Sequence, residues 1–353
     1  MGLTYYRSLD GVRGIAALMI MVFHFFQEVE QQTGVVGMLK KLSVFGRTGV
    51  TLFFVLSGFL ITRILLHTKE TPGYFRNFYG RRAVRIFPLY YLFLLIYYYL
   101  VPAVEGSASP ALSDQLYYYF YLQNFAETFG WEVTGPLHFW SLAVEEHFYL
   151  FWPLVVYLVT QRRLLKIIVA IVVMALLLRM YMVGSGYSVF YFTFTRFGAL
   201  AIGSGLALLE TNGYLKPARA KYFSWLLLLV VAPLIALWMA FTGAGNDNIQ
   251  LYKYPLIALV YFSAIGYLIT QRTPYLNEWL RAGWLSYTGR ISYGLYVYHP
   301  LLFLLCAQYL HLGNIVLDFA LSTALCYLVA SASYYYFEAP FLGLKRFFAY
   351  GNR

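Results

Sequence analysis

The sequence predicts an all-α integral membrane protein of about ten transmembrane helices, with both termini cytoplasmic. Three observations predict it. Hydrophobic residues fill 61% of the 353 positions and charged ones only 12%, and the mean hydropathy of +0.62 is far above that of ordinary soluble domains. Apolar runs recur along the whole chain at about the 20-residue length that crosses a bilayer. Basic residues gather in alternate connections between those runs, as the positive-inside rule requires. A net charge of +11 would suggest a nucleic-acid partner in a soluble chain. Here the basic residues lie in short inter-span segments and set topology, which excludes that class.

The runs fall near 14–30, 47–66, 86–101, 137–159, 164–183, 189–209, 222–241, 252–270, 289–310 and 314–337. The first is too long for a cleavable signal peptide. It carries His24, and Glu28, Glu30 and Gln31 stand where a small-residue cleavage site belongs, so it reads as a retained span. The connection after the second run carries Arg63, Lys69, Arg76, Arg81, Arg82 and Arg85 against Glu70, whereas the next carries Glu105, Asp114, Glu127 and Glu132 with no Lys or Arg. The former is therefore cytoplasmic. Arg162, Arg163 and Lys166 fall on the same side, as do Lys216, Arg219 and Lys221, then Arg272, Arg281 and Arg290, and finally Lys345, Arg346 and Arg353. Lys40, Lys41 and Arg47 dissent, because they belong outside. Cys306 and Cys326 lie inside apolar runs and form neither a disulfide framework nor a zinc-ligand spacing. There is no internal repeat, and every connection is shorter than about 35 residues, below domain size. The expectation is one membrane domain over 1–353 with no appended soluble domain.

Ionisable groups at bilayer depth are expensive and mark function. His24 lies about 18 Å into the first span at 1.5 Å per residue, and a helix that begins before Arg13 projects Arg13 and His24 from one face, about 16 Å apart. In "PLHFWSLAVEEHFYLFWP" Glu145 and Glu146 reach a similar depth from the other side; Ser141, Glu145 and Tyr149 share a face at i, i+4 spacing, while Glu146 points about 100° away. "RISYGLYVYHP" carries His299 next to Pro300, and "FFVLSGFLIT" carries Ser57 and Gly58 at mid-span. Each has a plain alternative, since an intramembrane His can be an interhelical hydrogen-bond partner and Ser-Gly a packing element. His24, Glu145 and His299 on three separate helices at one depth favour a functional polar cavity.

"YGRRAVRIFPLYY" puts Arg82 and Arg85 at i, i+3 at the cytoplasmic mouth of the third span. A topology anchor with Tyr90 and Tyr91 as interfacial aromatics is one reading. Bidentate phosphate binding is the other. "LYYYFYLQNFAETFGW", on the outer side, reads as an interfacial aromatic belt or as a sugar-stacking surface.

These residues carry a resemblance. "RSLDGVRGIAAL", with ten residues between Arg13 and His24, then "FFVLSGFLI", "RRAVRIFPLYY", "FWSLAVEEHFYLFWP" and "ISYGLYVYHPL", resemble in content and order the integral-membrane acyltransferase 3 family over nearly the whole chain. Its members move acyl groups, commonly acetyl, from cytoplasmic acyl-CoA onto carbohydrates or other acceptors. The resemblance implies that His24 is the catalytic base or acyl relay, that Asp10 and Arg13 belong to the same first-helix motif, and that Glu145 is the important acid of its pair. It further implies that Ser57 and Gly58 line the acyl-CoA channel, that Arg82 and Arg85 hold the CoA phosphates, and that Tyr293 and His299 belong to the donor site. Some members carry an extracellular esterase-like domain. This sequence ends at Arg353, so such a step is expected to belong to another protein or to be absent.

Acyl transfer from a thioester to a hydroxyl needs a base, oxyanion donors and exclusion of bulk water, and no metal. His24 suits the first task, since an imidazole ordinarily titrates near working pH. The expectation is a multi-pass protein of the cytoplasmic (inner) membrane that acylates a hydroxyl of a cell-surface or lipid-linked carbohydrate. A proton-coupled transporter using His24 and Glu145 as a relay is the alternative of a different class; it would consume no acyl-CoA.

Overall fold

The computed structural model describes residues 3–29, 33–240, 247–271 and 274–349. Glu30, Gln31, Arg272 and Arg353, which entered the expectations above, lie outside the described residues. Among the described residues the chain is predominantly helical, with no strand. The protein is an all-α integral membrane protein.

In chain order the α-helices are α1 (Ser8–Glu28), α2 (Gly34–Ser43), α3 (Gly49–Thr68), α4 (Tyr74–Leu95), α5 (Val101–Glu105), α6 (Leu112–Tyr119), α7 (Gln123–Phe129), α8 (Trp140–Leu158), α9 (Gln161–Gly184), α10 (Thr193–Thr211), α11 (Ala220–Ala240), α12 (Asp247–Thr270), α13 (Pro274–Leu280), α14 (Gly283–Tyr309), α15 (Ile315–Ala332) and α16 (Ala339–Gly343). Among the described residues, seven helical segments are long and apolar enough to cross a membrane. The segments containing α8, α10 and α14 fall short. Those helices carry Glu145, Glu146, Arg196 and His299, and the polar groups that lower their hydropathy face other helices.

Local chemistry fixes several ends. Thr160 caps α9 by accepting from Arg163 N–H at 3.5 Å, and Asn314 caps α15 by accepting from Val316 and Leu317 N–H at 3.0 and 3.2 Å. Lys40 donates to the carbonyls of Gln27 and Val29 at the end of α1, where a cation meets the negative pole of the helix. That contact accounts for one charge that dissented from the topology pattern.

Membrane helices associate through small residues that let backbones approach. A Cβ on Gly58 would sit 1.9 Å from the carbonyl oxygen of Leu200, and one on Gly203 2.0 Å from that of Val55, so α3 and α10 touch backbone to backbone. Gly289 would meet the Asp10 carbonyl at 1.8 Å, which joins α14 to α1 in the same way. A polar chain crosses the first of these contacts: Trp152 Nε1 donates to Thr62 at 2.7 Å, and Thr62 donates to Ser204 at 2.8 Å.

Three expectations need correction. The third helix begins at Tyr74, not near 86, so Arg76, Arg81, Arg82 and Arg85 lie within α4 and not in a connection. Its first three turns carry too many arginines to register as an apolar run, yet their helical period is intact. Arg63 is likewise inside α3, where it pairs with Glu210, which also accepts from the Tyr6 hydroxyl at 2.6 Å. Tyr90 is wholly buried and not interfacial. The Tyr90 and Tyr91 hydroxyls donate to the carbonyls of Tyr118 and Tyr119 at 2.7 and 3.0 Å, so the aromatic segment folds back along α4.

Candidate active site

The Arg-x-x-Arg of α4 and the carboxylate of α8 meet in one place. One cavity is lined by Arg13 and Ile20 of α1, Ser57 of α3, Arg82 and Arg85 of α4, Ser141, Glu145 and Tyr149 of α8, and Ser292, Tyr293 and Tyr296 of α14. Helical spacing explains the selection. Arg82 and Arg85 are one turn apart and turn inward together, as do Ser141, Glu145 and Tyr149 at steps of four. Glu146, about 100° round the helix, does not line the cavity, and its Oε1 has no hydrogen-bond partner among the described residues.

Hydrogen bonds hold this lining in position. The Ser57 and Tyr149 hydroxyls bond each other. The Arg82 guanidinium carbon lies 5.5 Å from the Tyr149 ring centroid. Tyr293 donates to the Ile86 carbonyl at 2.8 Å, which ties α14 to α4 beside Arg85. Asp10 stands behind the cavity wall: its Oδ1 is 3.5 Å from Arg13 Nη1, and Oδ2 accepts from Tyr5. Asp10 therefore acts on the site through Arg13.

Gly58 turns away from the cavity toward α10. Adjacent helix residues point about 100° apart, so Ser57 and Gly58 divide between cavity and packing.

His24 and His299 form a pair beside the cavity, not among its lining residues. His24 Nδ1 lies 2.7 Å from His299 Nε2, and the two rings stack with centroids 5.0 Å apart. α1 begins at Ser8, five residues before Arg13. That is the condition under which Arg13 and His24 share a face with Ile20 between them. Tyr296, which lines the cavity, has its ring 5.8 Å from that of His299.

The protons of this pair follow from its partners. His299 Nδ1 is 2.9 Å from the Leu295 carbonyl, which can only accept, so Nδ1 carries the hydrogen and the neutral ring keeps its lone pair on Nε2. Nε2 must then accept from His24 Nδ1–H. In the neutral pair this assignment leaves the lone pair of His24 on Nε2, where a base needs it.

One histidine escaped the sequence reading. The His138 ring lies 5.7 Å from that of His299, and its Nε2 donates to the Val297 carbonyl at 3.1 Å. Tyr296 donates to the His138 carbonyl and accepts from Ser141. His138 precedes α8, outside any helical period, and only its place in "PLHFW" marked it. Among the described residues no group of three or more His, Cys, Asp or Glu side chains is arranged to hold a metal.

The chain is 28% identical to a Bacillus subtilis protein provisionally named a peptidoglycan O-acetyltransferase, YrhL, in an alignment that covers 95% of this chain and 55% of that protein. It is 28% identical to the peptidoglycan O-acetyltransferase OatA of Listeria monocytogenes, with 95% of this chain and 56% of that protein covered. A Staphylococcus aureus protein provisionally named an O-acetyltransferase is also 28% identical, with 96% of this chain and 57% of its own length covered. The chain thus spans little more than half the length of these curated relatives. No solved structure matches it. An acyltransferase domain model matches residues 6–335, and that reach takes in every helix that lines the cavity: this chain belongs to the acyltransferase 3 family.

Proposed function

We propose that the protein transfers an acyl group, most simply acetyl, from cytoplasmic acyl-CoA to a hydroxyl of a carbohydrate at the opposite face of the membrane. Both termini and the mouth formed by Arg82 and Arg85 are cytoplasmic in this reading, and the membrane is the cytoplasmic one. One observation carries it: Arg13, Arg82, Arg85 and Glu145 line one cavity, and the His24–His299 pair stands beside it across Ile20 and Tyr296.

In this reading the arginines hold the phosphates of the CoA moiety by charge-assisted bonds, and the thioester end reaches toward the histidines. The acceptor oxygen attacks the thioester carbonyl carbon. As the O–C bond forms, the hydroxyl proton passes to His24 Nε2, and His299 continues to accept from His24 Nδ1–H. The carbonyl oxygen becomes an oxyanion, which needs a hydrogen-bond donor or a cation of the lining to stabilise it. Collapse breaks the C–S bond, and the thiolate takes the proton from the imidazolium to leave as free CoA thiol. Glu145 and Arg13 complete the polar lining near the donor. The names of the Bacillus and Listeria relatives support a peptidoglycan-type acceptor.

The test uses the full chain in lipid vesicles with labelled acetyl-CoA and solubilised peptidoglycan strands. Transfer of label is expected, with His24→Ala slower by about 100-fold or more. A folded His24→Ala protein that transfers at the normal rate sinks the reading.

A further inference from the structure

A second, smaller pocket lies beyond the first. Val50 lines both. Along α8, Trp140 faces the second cavity while Ser141, Glu145 and Tyr149 face the first. Along the stretch into α3, Arg47 and Thr48 face the second and Phe53, Ser57 and Leu60 the first. The two therefore stand end to end, with the second at the end where α3 and α8 begin.

Arg47, Arg196 and Lys253 line this second cavity, and no Asp or Glu does. Arg196 is only 3% exposed. Its Nε donates to the Phe190 carbonyl at 2.6 Å, and Tyr254 bonds its guanidinium, but Nη2 has no hydrogen-bond partner. Aromatic rings clasp the guanidinium faces: Arg47 lies 3.6 Å from the Phe190 centroid, and Arg196 lies 3.9 Å from that of Tyr254. Face stacking leaves the N–H edges open. Behind them Arg179, also 3% exposed, has an unpartnered Nε. Buried cations without counter-charge are costly, and α8 and α10, which begin here, add the positive poles of their dipoles.

We propose that this cavity is an anion site on the acceptor side, and that it takes a phosphate or carboxylate carried by the acceptor glycan. It explains Arg47, a cation on the side where topology does not call for one. The assignment to an acceptor rests on the function proposed above; the anion site itself does not. Anchoring the acceptor's charge here lets its hydroxyl approach the His24 pair: Arg47 lies 5.9 Å from the Phe23 centroid, whose ring is 5.2 Å from that of His24.

The test is equilibrium binding without any acyl donor, using the full chain in phosphatidylcholine vesicles. The probes are peptidoglycan glycan strands freed of their peptides, with lactyl carboxylates intact or methyl-esterified. The acid strands are expected to bind about ten-fold or more tightly than the esters. Lys253→Ala and Arg47→Gln are expected to erase that difference while thermal unfolding stays unchanged, and Lys253→Arg to preserve it. Millimolar inorganic phosphate is expected to displace the acid strands. Equal binding of acid and ester by the unaltered chain overturns the proposal. Loss of the acid preference when phosphatidylglycerol is added makes a lipid headgroup the occupant and overturns the acceptor assignment. A chain that binds acid strands in this way yet transfers no acetyl leaves the anion site standing and removes the proposed function.

Discussion

His24 Nδ1 donates to His299 Nε2 across 2.7 Å, while His299 Nδ1 donates to the Leu295 carbonyl across 2.9 Å. The carbonyl fixes the tautomer of the first ring, and the first ring fixes that of the second. An imidazole held in this way has the role of an orienting partner, comparable in logic to the carboxylate of a hydrolase triad.

His299 is accordingly a positioning residue. His299→Ala should lower kcat by about 10- to 100-fold with little change in KM for either substrate, because binding groups are untouched and only the base is mis-set. Steady-state kinetics on both substrates checks this. A rise in KM with kcat preserved would make His299 part of a binding surface.

The neighbouring carboxylates should separate sharply. Glu145 lines the cavity with Ser57 and Tyr149, and Glu146 does not. Glu145→Gln is expected to cut transfer by about 10- to 100-fold, the scale of one charge-assisted contact in the lining. Glu146→Gln should stay within a few-fold of the parent. Transfer assays on the two variants at matched expression decide it, and a reversed order would contradict the geometry.

Arg82 and Arg85 should govern the donor alone. A charge-assisted bond is worth about 1.5–3 kcal/mol, so Arg82→Ala or Arg85→Ala should raise KM for acetyl-CoA by about 10- to 100-fold and leave the acceptor KM in place. The donor KM should also climb with salt, since exposed parts of such contacts are screened. Titration of acetyl-CoA at two ionic strengths provides the measurement.

Gly58 should matter for stability before chemistry. A Cβ there would meet the Leu200 carbonyl oxygen at 1.9 Å, whereas one on Gly205 would find only Ile168 at 3.9 Å. Gly58→Ala is expected to destabilise by about 1–3 kcal/mol or more through forced separation of α3 and α10, with Gly205→Ala near neutral. Thermal unfolding in detergent compares them directly.

Much of this arrangement was legible in the sequence because helical period is a strong constraint. The shared face of Ser141, Glu145 and Tyr149, and the paired projection of Arg82 and Arg85, follow from spacing alone, and all five line the cavity. What period cannot give is which helices meet. The contact of α1 with α14, which joins His24 to His299, depends on close backbone approach at Gly289 and not on any apolar run. His138 lay outside any period. The early start of α4 was hidden because hydropathy reports lipid exposure, and arginines that face an internal cavity lower it without breaking the helix.

The cavity walls differ in how they are joined. α1 and α14 meet backbone to backbone, as do α3 and α10, so neither pair can part without losing a close-packed seam. α4 hangs instead on phenol hydroxyls: Tyr74, Tyr79, Tyr90 and Tyr91 each donate to a carbonyl of another segment, at 3.1, 2.8, 2.7 and 3.0 Å, and Tyr293 reaches across to Ile86. Leu89, Tyr90, Phe93 and Leu94 of α4 are buried beside these bonds, so side-chain packing holds the helix as well. The imidazoles thus stand on a backbone seam, and the arginines on a helix joined to its neighbours through side chains. A substitution among these phenols is therefore expected to disturb the arginines before it disturbs the proton-handling pair.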